Sequence, residues 1–296
     1  MKPHTGFRLQ GCRWVVALVL ALALALPNLA FAAPGPPPPG PAMRWVDAPS
    51  GREHLDTAIW HYARGKQKVD LIGAVHVADR KYYWLLTALF TKYDRLLFEL
   101  VKPEELDVRS MGPSDGKLSS VQRWLKDRLH LEFQLDNIDY GARNFVHADI
   151  DSARLGAQLL AQAGNLIASL LAFSITDSAR LTHADGSPRL GGIELAWALA
   201  ARDQGQALKR YLGRELSEVD LGSDEFGGLG FGSVLIRERN QLAVQVLQRE
   251  LAKGRRSLAI FYGAAHLPDL HKRLVALGFA PTGQAWLVAW QLLPAK

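Results

Sequence analysis

Two short segments nearly two hundred residues apart constrain this chain more than any other feature: Gly73-Ala74-Val75-His76 and Gly263-Ala264-Ala265-His266. Each follows an apolar, strand-like run, over 69–72 and 258–262, and each has an aspartate three residues beyond its histidine, Asp79 and Asp269. A glycine where a strand leaves a sheet lets the chain bend or lets another group approach closely. In an open α/β sheet, functional groups collect beyond the carboxyl ends of the strands, so the duplication predicts two imidazoles at equivalent strand ends. The plainer alternative is a pair of ordinary strand-exit glycines, each followed by a histidine that caps or packs. Recurrence of the glycine, the histidine and the aspartate together favours the paired site.

The periodicity around these segments predicts the frame. Residues 57–62 alternate and contain β-branched and aromatic residues, 64–66 make a turn, and 68–75 form a second strand, giving an opening hairpin. Helical spacing over 79–92 is followed by a short apolar strand over 94–100, a strand-helix-strand unit that implies a parallel crossover. Further helices are predicted over 118–131, 152–173, 193–212, 233–253 and 268–277, and strands over 144–150, 257–262 and 284–292. The helix over 152–173 is apolar on most faces, but Gln158, Gln162, Gly164 and Asn165 point to a buried or lid-packed helix rather than a membrane span. The expectation is an α/β (α+β) fold: a mixed central sheet flanked by helices, built from two strand-GxxH-helix-strand units with a helical insertion over 151–221. At 48% hydrophobic and 22% charged residues, the chain can supply the core such a sheet needs.

The first 32 residues read as a secretory signal peptide. Lys2, Arg8 and Arg13 precede an apolar run over 15–26, and Ala30-Phe31-Ala32 offers a cleavage site. The alternative is an uncleaved membrane anchor, so the expected location is exported, periplasmic or secreted, with a membrane contact only in the anchored form. Residues 33–42 read as an extended proline-rich linker with nothing to pack, and the folded domain is expected over 43–296. Cleavage after Ala32 leaves 32 basic against 29 acidic residues. With no dense basic stripe interleaved with aromatics, a nucleic-acid partner is not expected. Cys12 would leave with the leader, so neither a disulfide nor a thiol nucleophile is expected.

Glu99 stands at the end of the apolar segment Leu96-Leu97-Phe98-Glu99-Leu100, where an ionised carboxylate is costly unless charge or hydrogen bonds compensate it. A cation would do so; an ion pair with Lys102 or an arginine is the structural alternative. Two imidazoles and a carboxylate form a recurring catalytic metal set, which makes His76, Glu99 and His266 the expected ligands of a divalent ion. Neighbouring residues would then transfer protons, with His147 and Asp149 on one face of the strand as candidates; the competing reading is an exposed strand face with Val146, Ala148 and Ile150 towards the core. Asp79 and Asp269 read as helix N-terminal caps or dipole partners rather than ligands. The glycine-rich stretch over 227–232 lacks the preceding strand of a nucleotide loop. Ser152, Ser169 and Ser233 lack a nucleophile elbow, and His54, His61, His130, His183 and His271 show no ligand spacing.

The sequence resembles the TraB/PrgY/GumN family, which includes the TIKI proteases. The resemblance is carried by GAVH at 73–76, the segment with Glu99, the Arg239-Asn240 pair in its helix, and YGAAH at 262–266; it runs from about Met43 to Trp290 and is weak in the helical middle. It implies a peptidase-like domain dependent on a divalent metal (Mn, Co or Zn), with a peptide or protein substrate and His76, Glu99 and His266 as the matching metal positions. In that setting Arg239 would stabilise an oxyanion and Asn240 would donate a hydrogen bond, or the two would close an ion-pair network between helix and sheet. The alternative function is a non-catalytic haem-, metal- or peptide-binding protein on the same scaffold.

Overall fold

The computed structural model describes residues 36–48, 52–105, 129–161, 192–218 and 236–292. The leader, the loop over 222–232, most of the expected helix over 118–131 and the second half of that over 152–173 lie outside these residues. Among the described residues no helix is long and apolar enough to cross a membrane.

The opening hairpin forms as the alternation predicts. Strand β2 (His54–Arg64) turns at Gly65, whose φ of 58° suits a residue without Cβ, into β3 (Gln67–Ala74). A short strand β1 (Met43–Val46) and β3 occupy successive stretches of one edge of β2, and β9 (Ala280–Gln291) runs along the whole of the other edge. From β3 the sheet continues through β8 (Ser257–Gly263) and β5 (Arg95–Phe98) to β7 (Phe145–His147), all parallel. In this seven-stranded mixed sheet β2 alone runs against the rest.

Helix α1 (Arg80–Phe90) connects β3 to β5. Both GxxH units are therefore crossovers between parallel strands, yet neither joins neighbours. Strand β8 sits between β3 and β5, and β3 and β2 separate β8 from β9. Residues 258–262 of β8 are all buried, as expected for a parallel strand covered on both faces. One face meets α1, with the Phe90 and Phe261 rings 4.8 Å apart. Helix α7 (Leu267–Ala276) packs against the neighbouring β3 and buries Leu267, Leu270 and Leu274. Each such side chain contributes about 1.5–3 kcal/mol through removal from water.

Several boundaries differ from the sequence reading. The expected helix over 193–212 is two helices, α4 (Gly192–Ala200) and α5 (Gln204–Glu218), because the Asp203 carboxylate accepts the Gln206 amide hydrogen and caps a new start. The strand expected over 144–150 stops at His147; beyond it the Asp149 carboxylate turns inward to an arginine. Helix α3 (Ser152–Ala161) follows after Asp151. Residues 36–42, exposed over 36–38 and at Pro41, are nevertheless tied to the domain. His271 lies 2.8 Å from the Pro36 carbonyl, Ala42 is buried, and a Cβ on Gly40 would come within 2.6 Å of Gln284.

Asp79 precedes α1 but makes no capping hydrogen bond. It pairs instead with buried Lys209 of α5 at 2.7 Å and accepts the Gln291 amide hydrogen at 2.7 Å, fastening α5 to β9.

Candidate functional site

The two glycines of the repeat have different reasons to be glycine. A Cβ on Gly73 would meet the Ala58 carbonyl oxygen and Leu267 Cδ2, each at 3.2 Å, so close packing of sheet and helix excludes it. A Cβ on Gly263 would meet Glu99 Oε2 at 3.4 Å, His266 Cδ2 at 3.8 Å and His76 Nε2 at 3.8 Å. The empty side-chain position of Gly263 therefore marks the point where the three expected ligands converge.

Glu99 follows β5 directly. Its Oε2 accepts the Gly263 amide hydrogen at 2.6 Å, and its Oε1 accepts from Arg239 Nη2 at 2.6 Å. Burial pushes the carboxyl up, but positive charge from His266, Arg239 and His76, with the Gly263 amide, outweighs it and brings the group down to about 2. The structural alternative is thus realised in part, since an arginine does lie against Glu99. Arg239 begins α6 (Arg239–Ala252) and is itself anchored on the fully buried Asp149 carboxylate, through Nε at 2.8 Å and Nη2 at 2.6 Å. Asp149 also accepts the Ile150 amide hydrogen.

His266 ends the short 3-10 turn Ala264–His266 between β8 and α7 and is 4% exposed. Its Nδ1 lies 2.6 Å from Asn240 Oδ1. The Asn240 amide is fixed in that orientation because its Nδ2 donates to the His266 carbonyl at 3.1 Å and to Asp269 Oδ2 at 2.8 Å. Nδ1 must therefore carry the hydrogen, which leaves Nε2 with a lone pair. Burial takes the imidazole down to about 4, so it is neutral at pH 7. Asp269, in the first turn of α7, is further held by Arg273 at 2.6 Å; like Asp79, it is a side-chain anchor and not a cap.

His76 is exposed, in contrast to His266. Its loop is pinned on two sides. The strand β4 (Val77–Ala78) pairs with β6 (Glu132–Phe133), and the Gln134 amide, at the start of α2 (Gln134–Asn137), donates to the His76 carbonyl. Trp290 Nε1 donates to the Val77 carbonyl from β9. Sequence reasoning missed two residues of this neighbourhood, Gln134 and Tyr140, which are buried and joined by a 2.8 Å hydrogen bond; Tyr140 is close enough to feel the charge of Glu99. It also missed the Gly263 backbone amide, which no side-chain motif can announce.

The structure therefore brings together Glu99, Arg239, Asn240 and His266, with His76 at the rim. Among the described residues no group of three or more His, Cys, Asp or Glu side chains is placed to hold a metal ion. The donor chemistry nevertheless fits a divalent cation. His266 Nε2 and Glu99 Oε1, both acceptors at pH 7, face each other at 3.6 Å. Ligand atoms about 2.1 Å from a tetrahedral ion stand roughly 3.4 Å apart, so one ion would span that separation. The hydrogen bond from the far ring nitrogen to a fixed partner is the usual support for a ligating histidine.

No protein-family model, curated protein or solved structure matches the chain.

Proposed function

We propose that the protein is an exported metal-dependent hydrolase that cleaves peptide amide bonds, of the kind the TraB/PrgY/GumN resemblance implies. One observation carries the reading: a neutral buried imidazole and an ionised carboxylate present two lone pairs to each other across 3.6 Å. Glu99 Oε1 already accepts from Arg239, and a cation entering between the two atoms would take up the remaining lone pair of each. Glu99 and His266 would hold the ion, with His76 closing from the rim. When bound, a divalent ion supplies Lewis acidity and lowers the pKa of a coordinated water.

The protein's own groups set up the rest. Asn240 holds His266 in the tautomer that exposes Nε2, and Asp149 holds Arg239 against Glu99. The guanidinium is thereby available to stabilise negative charge developing beside that carboxylate. The buried Tyr140 hydroxyl accepts from Gln134 and lies close enough to Glu99 to feel its charge.

A second reading, in which the same scaffold binds metal, haem or peptide without cleaving it, is favoured by a specific observation. Both expected proton-transfer residues are committed, His147 Nε2 to the Leu100 carbonyl at 2.7 Å and Asp149 to Arg239. Metal analysis of the purified protein, with peptide-cleavage assays in Mn²⁺, Co²⁺ or Zn²⁺, separates the two. Hydrolase function requires cleavage that His76→Ala, Glu99→Gln and His266→Ala each abolish together with bound metal. Metal loss in these variants without any cleavage by the parent leaves the binding reading. Unchanged metal content in all three removes the site.

A further inference from the structure

The ends of β3 and β8 remote from the GxxH segments frame a second cleft, of about 470 Å³, lined in part by His61, Lys68, Asp70, Tyr93, Ser257 and Thr282. It lies at the opposite end of the same strands. Ser257 opens β8 and Gly263 closes it, a separation of roughly 20 Å at about 3.3 Å per residue.

His61 and Asp70 are directly opposed on β2 and β3. His61 Nδ1 lies 2.9 Å from Asp70 Oδ1, and the Tyr93 hydroxyl donates to Asp70 Oδ2 at 2.6 Å. Both carboxylate oxygens are thus spent on fixing the imidazole, with Nδ1 protonated and Nε2 left over; the ring is about a third exposed. The hydrogen bond to Asp70 raises the His61 pKa against the effect of burial, so the ring gains a proton, and an Nε2–H donor, more readily than an isolated histidine. Lys68, two residues before Asp70 and so on the same face, is exposed. It is the diagonal cross-strand neighbour of His61, roughly 7–8 Å away at the backbone. On the far edge of β2 the pairing with β9 slips between His61 and Tyr62, which partner Gly283 and Pro281, and Thr282 is the extra residue. Such bulges re-aim side chains and are common beside sites.

We propose that this cleft binds a small oxyanion, a phosphate or carboxylate group of a soluble molecule, through His61 Nε2 and the Lys68 ammonium. The volume lies in the range of small-ligand sites. Asp70 keeps its negative charge beside the site, but the protonated His61 ring that it bonds and the Lys68 ammonium together outweigh it there. A serine-nucleophile site is not what these residues make: β3 lies between His61 and Ser257, and Ser257 is in register with Ala63 and not with His61, which puts the two roughly 12 Å apart at the backbone.

The test is a titration of the full-length protein with inorganic phosphate and, separately, malonate, followed by long-range ¹H–¹⁵N spectra of the histidine rings. The expected result is a saturable shift of one imidazole resonance, identified as His61 by its absence in His61→Gln. Lys68→Ala should raise the half-saturation concentration about tenfold, the scale of one charge-assisted hydrogen bond. Tighter binding of phosphate or of malonate decides between a phosphate and a carboxylate ligand. The proposal is overturned if neither anion shifts the His61 resonance, or if Lys68→Ala, an exposed substitution that leaves the fold intact, responds as the parent does.

Discussion

The contrast between the two repeat glycines gives the sharpest test of where function resides. At Gly73 an added methyl would sit 3.2 Å from a backbone oxygen of β2 and 3.2 Å from Leu267 Cδ2; the oxygen belongs to a paired strand and cannot withdraw. Gly73→Ala is therefore an overpacking substitution, expected to cost about 1–3 kcal/mol. At Gly263 the contacts of a methyl are 3.4 Å and longer, which is ordinary van der Waals separation. The backbone there, at φ −50° and ψ 141°, is open to any L-residue. Gly263→Ala should fold as well as the parent or gain about 0.4–1 kcal/mol through reduced freedom of the unfolded chain, while its methyl fills the space on which Glu99, His266 and His76 converge. Urea unfolding with an unchanged slope would give the two stabilities. Titration calorimetry with Mn²⁺ or Zn²⁺ would give binding. The expected pattern is inverse: Gly73→Ala is destabilised but keeps its metal affinity, whereas Gly263→Ala is stable and loses affinity. Parent-like metal binding by Gly263→Ala, or destabilisation as large as that of Gly73→Ala, would refute the argument.

Arg239→Ala leaves the Glu99 and Asp149 carboxylates buried without their shared cation and should cost about 3–5 kcal/mol in urea unfolding; Arg239→Lys, lacking the planar fork, should recover only part of that. Asn240→Leu removes the acceptor that fixes His266 Nδ1–H, so metal affinity should fall about 10–100-fold by calorimetry while His76 and Glu99 remain in place. His271, held between the Tyr62 hydroxyl and the Pro36 carbonyl, has its pKa lowered by burial and by Lys272, despite the Pro36 contact. Its folded pKa lies below the unfolded value near 6.5, so the unfolded chain binds the extra proton first and stability falls as pH drops below about 6.5. Urea midpoints between pH 7.5 and 5.5 should accordingly decline less steeply in His271→Gln than in the parent. Lys209→Met should loosen α5 from β9, seen as faster amide exchange over 204–218 with little change in the sheet.

Much of the frame was legible because it depends on local pattern. The alternation in β2, the unbroken apolar run of β8 and the helical spacing of Tyr82, Leu86 and Phe90 each report burial of a face, which a sequence carries residue by residue. The order of the sheet was not legible, since insertion of β8 between β3 and β5 is a pairing between segments some 160 residues apart and leaves no local trace. The break between α4 and α5 did leave one: Asp203 followed three residues later by Gln206 is a capping-box pattern. Within the site, Glu99 and the histidines stood out as polar groups at the ends of apolar runs. Asp149 was singled out for proton transfer, but its Arg239 partner lies 90 residues away, so its anchoring role emerges only in three dimensions.

The position of β8 has a further consequence, for when the site can exist at all. Strands β3 and β5, which lead to His76 and Glu99, are joined only through β8, which lies between them and leads to both Gly263 and His266. A nascent or clipped chain that stops before Ser257 has a slot where its centre should be. Closing that slot demands long-range pairing that is intrinsically slow. Gly263 and His266 can therefore meet Glu99 only once β8 has paired on both of its edges, and an interruption anywhere within β8 separates them even if every other strand has formed.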